Sequence, residues 1–189
     1  MKFKYAGKYN GSPESLPQRT QTGAVQFKEF EDLMTFGIIM NAAAIVLWIG
    51  LVAAASFRAG SLQLSAIGAL LSIATMVPHE FLHALCFREE VKMYHNLKDG
   101  MLFVAGTEDM SRAQFVLMSM LPNLVFGFLP FIVFMIFPQI PVIGTLSTLA
   151  ICMGAGDYYN VFNCLTQVPK GAKVFMSGIH TFWYMPEDK

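Results

Sequence analysis

Two histidines and a glutamate lie close together in residues 77–85, where His79, Glu80 and His83 form the pattern HExxH. Histidines four residues apart share one face of a helix, so they can bind one metal ion. Glu80 follows the first histidine and is placed to take a proton from water on the metal. The pattern therefore predicts a hydrolytic metal centre, with zinc as the expected ion.

The residues around this motif are mainly Leu, Ile, Ala and Val, which predicts that the chemistry takes place at membrane depth. An ionisable residue at the centre of a membrane helix costs roughly 2.5–3.5 kcal/mol, so such residues usually mark a functional site. The alternative is a helix face that carries two incidental histidines near a membrane surface. A third ligand would favour the metal over that alternative.

Asp157 is the candidate for the third ligand. Catalytic zinc usually has three protein ligands and keeps one position for water. Asp157 is the only acidic residue besides Glu80 within the apolar segments, and Gly154 and Gly156 next to it permit close approach. A hydrogen bond that helps helices to pack is the alternative role for this aspartate. Asn123 and Asn160 are candidates for stabilising an oxyanion, with helix packing as their alternative role.

The composition is that of a membrane protein, because 54% of the 189 residues are hydrophobic and only 14% are charged, against about 25% charged in soluble domains. Four apolar segments, at about 33–57, 62–87, 113–137 and 141–168, each reach the roughly 20 residues that cross a bilayer. We therefore expect an all-α membrane protein with about four transmembrane helices. The expected domains are a polar tail (1–32), a transmembrane metalloprotease domain (33–168) and a C-terminal segment (169–189).

The basic residues predict the orientation in the membrane. Twelve of the 13 Lys and Arg residues precede the first apolar segment, lie between the second and third, or follow the fourth. Only Arg58 lies between the first and second segments. By the positive-inside rule, this predicts a multi-pass protein of the cell membrane with both termini in the cytoplasm. The net charge of zero gives no indication of nucleic-acid binding.

The segment between the second and third apolar runs predicts a small cytoplasmic β-hairpin. Residues 91–97 and 101–105 are apolar runs on either side of Asp99-Gly100, a turn signal. The edge of this hairpin could hold an extended substrate. Thr107, Glu108 and Asp109 resemble the start of the next helix, and the residues after Pro169 predict a short strand.

The chain resembles a known family. An HExxH segment followed by Gly156-Asp157-Tyr158-Tyr159-Asn160 and by the Pro-x-Gly-Ala-x-Val sequence at 169–174 is similar to the DUF3267 group of zincin peptidases. More broadly it resembles the site-2 protease class of intramembrane metalloproteases, although the Asn-x-x-Pro-x-x-Pro-x-Asp-Gly stretch of the larger members is absent. The resemblance implies zinc as cofactor and peptidase activity.

The residues and the resemblance together predict an intramembrane zinc metalloprotease that cleaves membrane-associated peptides or proteins. His79, His83 and Asp157 would bind zinc, and Glu80 would act as the base. The alternative is a non-enzymatic metal-binding membrane protein of an accessory or immunity type. Glu80 distinguishes the two, because a purely structural zinc site is closed by protein ligands and needs no base. The sequence leaves the substrate and the oligomeric state open.

Overall fold

The computed structural model describes residues 2–187, apart from the side chain of Asp99. The predicted terminal segments also include Met1, Asp188 and Lys189, which lie outside the described residues. The strands are β1 (Lys2–Lys8), β2 (Val25–Gln26), β3 (Glu90–Asn96), β4 (Met101–Ala105), β5 (Met110–Ser111), β6 (Lys173–Ser177) and β7 (His180–Tyr184). The α-helices are α1 (Leu33–Ala59), α2 (Ala66–Ala74), α3 (Met76–Leu85), α4 (Arg112–Asn123), α5 (Leu129–Ile136), α6 (Pro141–Met153) and α7 (Ala155–Gln167).

The chain forms two compact units, and each is assembled from separate parts of the sequence. Unit 1 contains the residues up to Glu29, the residues Glu80–Ser119 and those from Asn160 onward. Unit 2 contains Phe30–His79 and Met120–Tyr159. The chain passes from unit 2 to unit 1 within α3, between the first two residues of the HExxH motif.

Unit 1 contains two small β-sheets. The first has the strand order β1-β3-β4, in which β3 and β4 form an antiparallel hairpin and β1 pairs with β3 in parallel. The hairpin predicted at residues 91–105 is thus confirmed, and its turn contains Gly100 in the left-handed conformation (φ 65°) that glycine adopts readily. The second sheet is antiparallel, with the order β2-β7-β6-β5. Strand β6 confirms the strand predicted after Pro169.

The main core of unit 1 lies among the end of α3, α4, α7 and the strands. Its fully buried side chains include Val91 of β3, Phe115 of α4, Cys164 of α7 and Val174 of β6. Arg19 holds the segment before β2 in place, because its guanidinium donates to both carboxylate oxygens of Asp109 and lies 4.4 Å from the centre of the Phe175 ring. Several strands, parts of three helices and one long connecting segment therefore contribute to this core.

Unit 2 is helical, and α6 has neighbours on several sides. Small residues let these helices approach closely: Gly68 of α2 lies against Thr145, Gly127 lies against Ile151, and Gly144 lies against the ring of Phe134. Gly127 belongs to a π-helical segment, Leu124–Phe128, that joins α4 to α5 without a break in the helix. In contrast to α6, helix α1 buries none of its 27 residues.

The prediction of an all-α protein with four transmembrane helices is wrong. The described residues include seven strands in two sheets. Two helices, α1 and the 25-residue run Arg112–Ile136, are long and apolar enough to cross a membrane, by length and composition alone. The second predicted span is interrupted at Thr75 and the fourth at Gly154, so each is divided into helices of 9 to 13 residues. Such helices are shorter than the roughly 20 residues needed.

The interruption at Thr75 has a local cause. The side-chain hydroxyl of Thr75 donates to the backbone oxygen of Ser72, and that of Ser72 donates to the backbone oxygen of Ala69. Hydroxyls that bond to the preceding turn compete with the helical hydrogen-bond ladder and bend it. The helix resumes at Met76, so that α3 presents its histidines in a short helix of its own.

Candidate metal centre

The three residues of the HExxH motif come together on α3. Potential ligand atoms of His79, Glu80 and His83 all lie within 4.8 Å of one another, so the group could hold a metal ion. His83 is buried, and His79 and Glu80 are half-buried. The helical spacing explains this arrangement, because residues at i and i+4 project from the same face. The exposed face of the same helix carries Val77, Phe81 and Leu85.

A hydrogen bond to the backbone fixes the ring of His83. Its Nδ1 lies 2.7 Å from the carbonyl oxygen of Met118 in α4. Because a carbonyl oxygen can only accept, Nδ1 carries the proton and donates it. In the neutral ring the lone pair is then on Nε2, the nitrogen that would bind a metal. The structure thus holds His83 in the tautomer that a metal site requires.

Asp157 contacts the other histidine. Its Oδ2 lies 3.2 Å from Nε2 of His79, and the two side chains are only 16% and 12% exposed. Two ligands of one tetrahedral zinc ion, each about 2.1 Å from it, are separated by roughly 3.4 Å. The donor set, two imidazoles and a carboxylate, is also one that zinc binds. The residue types and the distance between His79 and Asp157 therefore fit zinc, whereas the group of ligand atoms within 4.8 Å of one another is His79, Glu80 and His83.

The carboxylate of Asp157 also has a neutral partner. Nδ2 of Asn123 donates to Oδ2 of Asp157 over 2.7 Å, and Asn123 is 1% exposed. Asn160, the other asparagine considered from the sequence, is half-buried on α7, one turn after Asp157. The sequence points to both residues only as candidates near an oxyanion, and it does not indicate the contact between Asn123 and Asp157. The Leu-Pro-Asn sequence at 121–123 gives no local signal for it.

The other two histidines have hydrogen-bond partners elsewhere in unit 1. Nδ1 of His95 in β3 lies 2.8 Å from the hydroxyl of Tyr5, and the two rings are stacked. Nδ1 of His180 in β7 lies 3.2 Å from Oε1 of Glu29. Both belong to side-chain pairs that link strands or segments of this unit, and neither belongs to the group on α3.

One family model matches the chain, over residues 72–173, and its description is DUF3267, "Putative zincin peptidase". No curated protein and no solved structure matches the chain. The matched region covers more than half of the sequence and includes the HExxH motif and Asp157. A zincin binds zinc through HExxH, so the family indicates a metallopeptidase with zinc as its cofactor. The match confirms the resemblance seen in the sequence: the chain belongs to the DUF3267 family.

Proposed function

We propose that this protein is a zinc-dependent peptidase that hydrolyses peptide bonds of membrane-associated substrates. His79, His83 and Asp157 are its metal ligands, and Glu80 is its general base. The observation that carries the proposal is the 3.2 Å approach of Asp157 Oδ2 to His79 Nε2. This contact supports Asp157 of α7, 78 residues after His79, as the third ligand.

Zinc bound here would act as a Lewis acid, polarising the peptide carbonyl and lowering the pKa of a water molecule. The residues of the chain perform the remaining tasks. Glu80 is next to His79 on a half-buried part of α3, so its carboxylate can remove a proton from the attacking water and return it to the leaving amine. The hydrogen bond from His83 to the Met118 carbonyl keeps that ring oriented while the proton moves.

The surface of unit 2 supports a location in the membrane. This unit contains only four Asp, Glu, Lys or Arg residues, namely Glu31, Asp32, Arg58 and Asp157. Large apolar side chains on α1 are exposed along its length; Ile38, Val46 and Ile49, for example, are 60% exposed or more. Exposed apolar surfaces of this extent are typical of membrane or protein contacts. We infer that unit 2 is the part of the protein that contacts lipid.

The hairpin of β3 and β4 is the proposed binding platform for the substrate. Strand β1 occupies the side of β3 away from β4, and β4 is the last strand of its sheet. A strand at the end of a sheet can pair with an extended peptide through its backbone groups. A helical substrate would have to unwind locally before it could pair in this way, since its carbonyls are already hydrogen-bonded.

A second candidate function, non-enzymatic metal binding, is favoured by one observation. Glu80 belongs to the same compact group as the two histidines, so it could itself be a ligand. With Asp157 it would complete a closed site of four protein ligands, the arrangement typical of structural zinc. The two functions therefore differ in the role of Glu80.

Glu80→Gln tests this difference. If Glu80 is the base, the variant should bind about one zinc ion per chain, as the unmodified protein does, while peptide cleavage falls by roughly 10²–10⁴-fold. Metal analysis of the purified protein and cleavage of a membrane-reconstituted peptide are the measurements. Glu89→Gln is the matched control, because it makes the same change at an exposed residue and should alter neither quantity. Loss of zinc together with activity in Glu80→Gln would favour the closed structural site.

A further inference from the structure

Asn123 lies at the last position of α4, immediately before the π-helical segment Leu124–Phe128. It is 1% exposed, and Pro122 precedes it inside the helix. π-helical segments frequently occur at functional sites, because the extra residue they accommodate changes the direction in which neighbouring side chains point. Here the residue before the π-segment directs its amide at Asp157 over 2.7 Å.

The carboxamide of Asn123 is held on its other side as well. Its Oδ1 lies 3.4 Å from the hydroxyl of Tyr158, whose single hydrogen is shared with the backbone oxygen of Ile151, the nearer acceptor at 2.8 Å. The space for the carboxamide exists because residue 154 is glycine: a Cβ there would overlap Oδ1 and Cγ of Asn123. The backbone of Gly154 has a negative φ of −79°, which any residue can adopt, so it is this close approach that requires glycine.

A carboxylate on an aspartate side chain needs such a partner if it is to point in one direction. The terminal torsion of aspartate is broad, so the rotamer alone does not set the plane of the carboxylate. Asn123 donates to Oδ2, and the same oxygen lies 3.2 Å from His79 Nε2. A donor on that oxygen therefore restrains the atom that faces the histidine.

We propose that Asn123 is a positioning residue, which orients the Asp157 carboxylate toward the metal through its side-chain amide. The inference rests on the proposed function, since it requires Asp157 to be a metal ligand. The burial of Asn123 argues against its alternative role as an oxyanion donor, because a substrate carbonyl would have to reach a side chain that is 1% exposed. Groups that orient metal ligands typically change metal affinity by 10–100-fold when they are removed.

Zinc affinity is the readout, measured on the purified full-length protein by competition with a chromophoric chelator. Asn123→Leu removes the donor while keeping the same branching of the side chain, and it should weaken zinc binding by roughly 10–100-fold. Gly154→Ala keeps the amide group of Asn123 but displaces it from Asp157, and it should also weaken zinc binding. Tyr158→Phe removes one contact of the amide oxygen and should have a smaller effect in that direction.

Two matched controls separate positioning from general packing. Thr148→Val removes a buried hydroxyl of α6 that bonds within its own helix, and Gly50→Ala adds a methyl group where nothing lies within 4 Å. Both should keep the affinity of the unmodified protein. Thermal unfolding of the zinc-free variants shows which of them are folded, and Gly154→Ala and Tyr158→Phe carry the test if Asn123→Leu does not fold.

The outcomes also separate this inference from the proposed function. Weakened zinc binding in folded Asn123→Leu or Gly154→Ala, with unchanged controls, would support the positioning role. Unmodified affinity in the folded variants, while Asp157→Ala lowers it, would overturn the role of Asn123 and leave the proposed site intact. If His79→Ala and Asp157→Ala also bind zinc as the unmodified protein does, the proposed function itself fails, and the inference fails with it.

Discussion

At the scale of single residues, the two histidines of α3 are held in different ways. His83 donates from Nδ1 to a backbone oxygen, so its metal-binding nitrogen is defined before any ion arrives. His79 contacts Asp157 through Nε2, and Nε2 is also the atom that would bind a metal. Metal binding at the proposed site would therefore replace the contact between His79 Nε2 and Asp157 and leave the hydrogen bond of His83 in place.

Glu29 gives a residue-scale prediction outside the candidate metal centre. Its Oε1 accepts from the backbone N–H of Thr181 over 2.8 Å and lies 3.2 Å from His180 Nδ1, and its side chain is 10% exposed. Burial raises the pKa of Glu29, and the hydrogen bonds and the charge of His180 offset only part of that rise. A carboxyl with a raised pKa in the folded state contributes stability below its unfolded pKa and loses it as the pH rises through the folded pKa.

Glu29→Gln should therefore raise the melting temperature at pH 8, because glutamine still accepts from Thr181 but carries no charge to bury. Near pH 4 the carboxyl is largely protonated, so the variant and the unmodified protein should converge. Thermal unfolding across this pH range is the measurement, with Glu31→Gln, at an exposed residue, as the control. A variant that is less stable at pH 8 would mean that the pairing with His180 outweighs the cost of burial.

At the scale of elements, β4 can test the proposed substrate platform. Successive N–H groups of a strand point alternately toward its partner and away from it. Single prolines at Leu102 and Phe103 therefore remove different groups: one loses a bond to β3, and the other loses only a group on the outer edge. If substrates pair along that edge, the proline on the outer edge should lower cleavage while zinc binding and thermal stability are retained.

The proline substitution that removes a hydrogen bond to β3 serves as the internal comparison, since it should lower thermal stability as well as cleavage. Full turnover in a folded variant with the outward N–H removed would exclude β4 as the platform. The packing of Phe103, whose ring centre lies 5.5 Å from those of Tyr9 and Tyr94, makes the Leu102 variant the gentler of the two for side-chain contacts.

At the scale of the whole molecule, the distribution of charge agrees with the division into units. Twelve of the 13 basic residues belong to the parts of the sequence that form unit 1, and Arg58 alone belongs to unit 2. The prediction of four spans is wrong, and the 12-to-1 asymmetry depends on that number. If α1 and Arg112–Ile136 are the spans, eight basic residues precede the first or follow the second, and Arg88, Lys92 and Lys98 lie between them. The excess still favours the side of the termini. We therefore keep a cytoplasmic location of both termini as a proposal.

Cysteine labelling tests this orientation. In a variant with Cys86→Ser, single Ser15→Cys and Ser61→Cys substitutions place thiols at exposed residues before α1 and just after it. A membrane-impermeant maleimide added to intact cells should label the second and not the first, whereas both should react after the membrane is opened. Labelling of Ser15→Cys in intact cells, or protection of Ser61→Cys, would contradict the orientation.

Local patterns in the sequence were sufficient for several parts of this protein. HExxH predicts its own grouping because both histidines lie on one helix, and Asp99-Gly100 predicts a hairpin because a turn signal acts on its immediate neighbours. The start of α4 has a local signal too: Ser111 and Gln114 have the spacing of a capping box, and the Ser111 hydroxyl accepts from the Gln114 N–H.

Contacts between distant parts of the chain were decided only by the tertiary structure. The sequence suggests that Glu108 is an acidic residue in the first turn of a helix. Its carboxylate instead accepts from the backbone N–H groups of Arg88 and Glu89. Strand β1 pairs with β3 across more than 80 residues, and Asn123 meets Asp157 only because Gly154 leaves room for it. The sequence by itself determined the grouping of the motif's side chains and its local elements, since these depend on neighbours along the chain. Tertiary packing decided that Asp157 contacts His79 and Asn123, because those contacts depend on how separate helices come together.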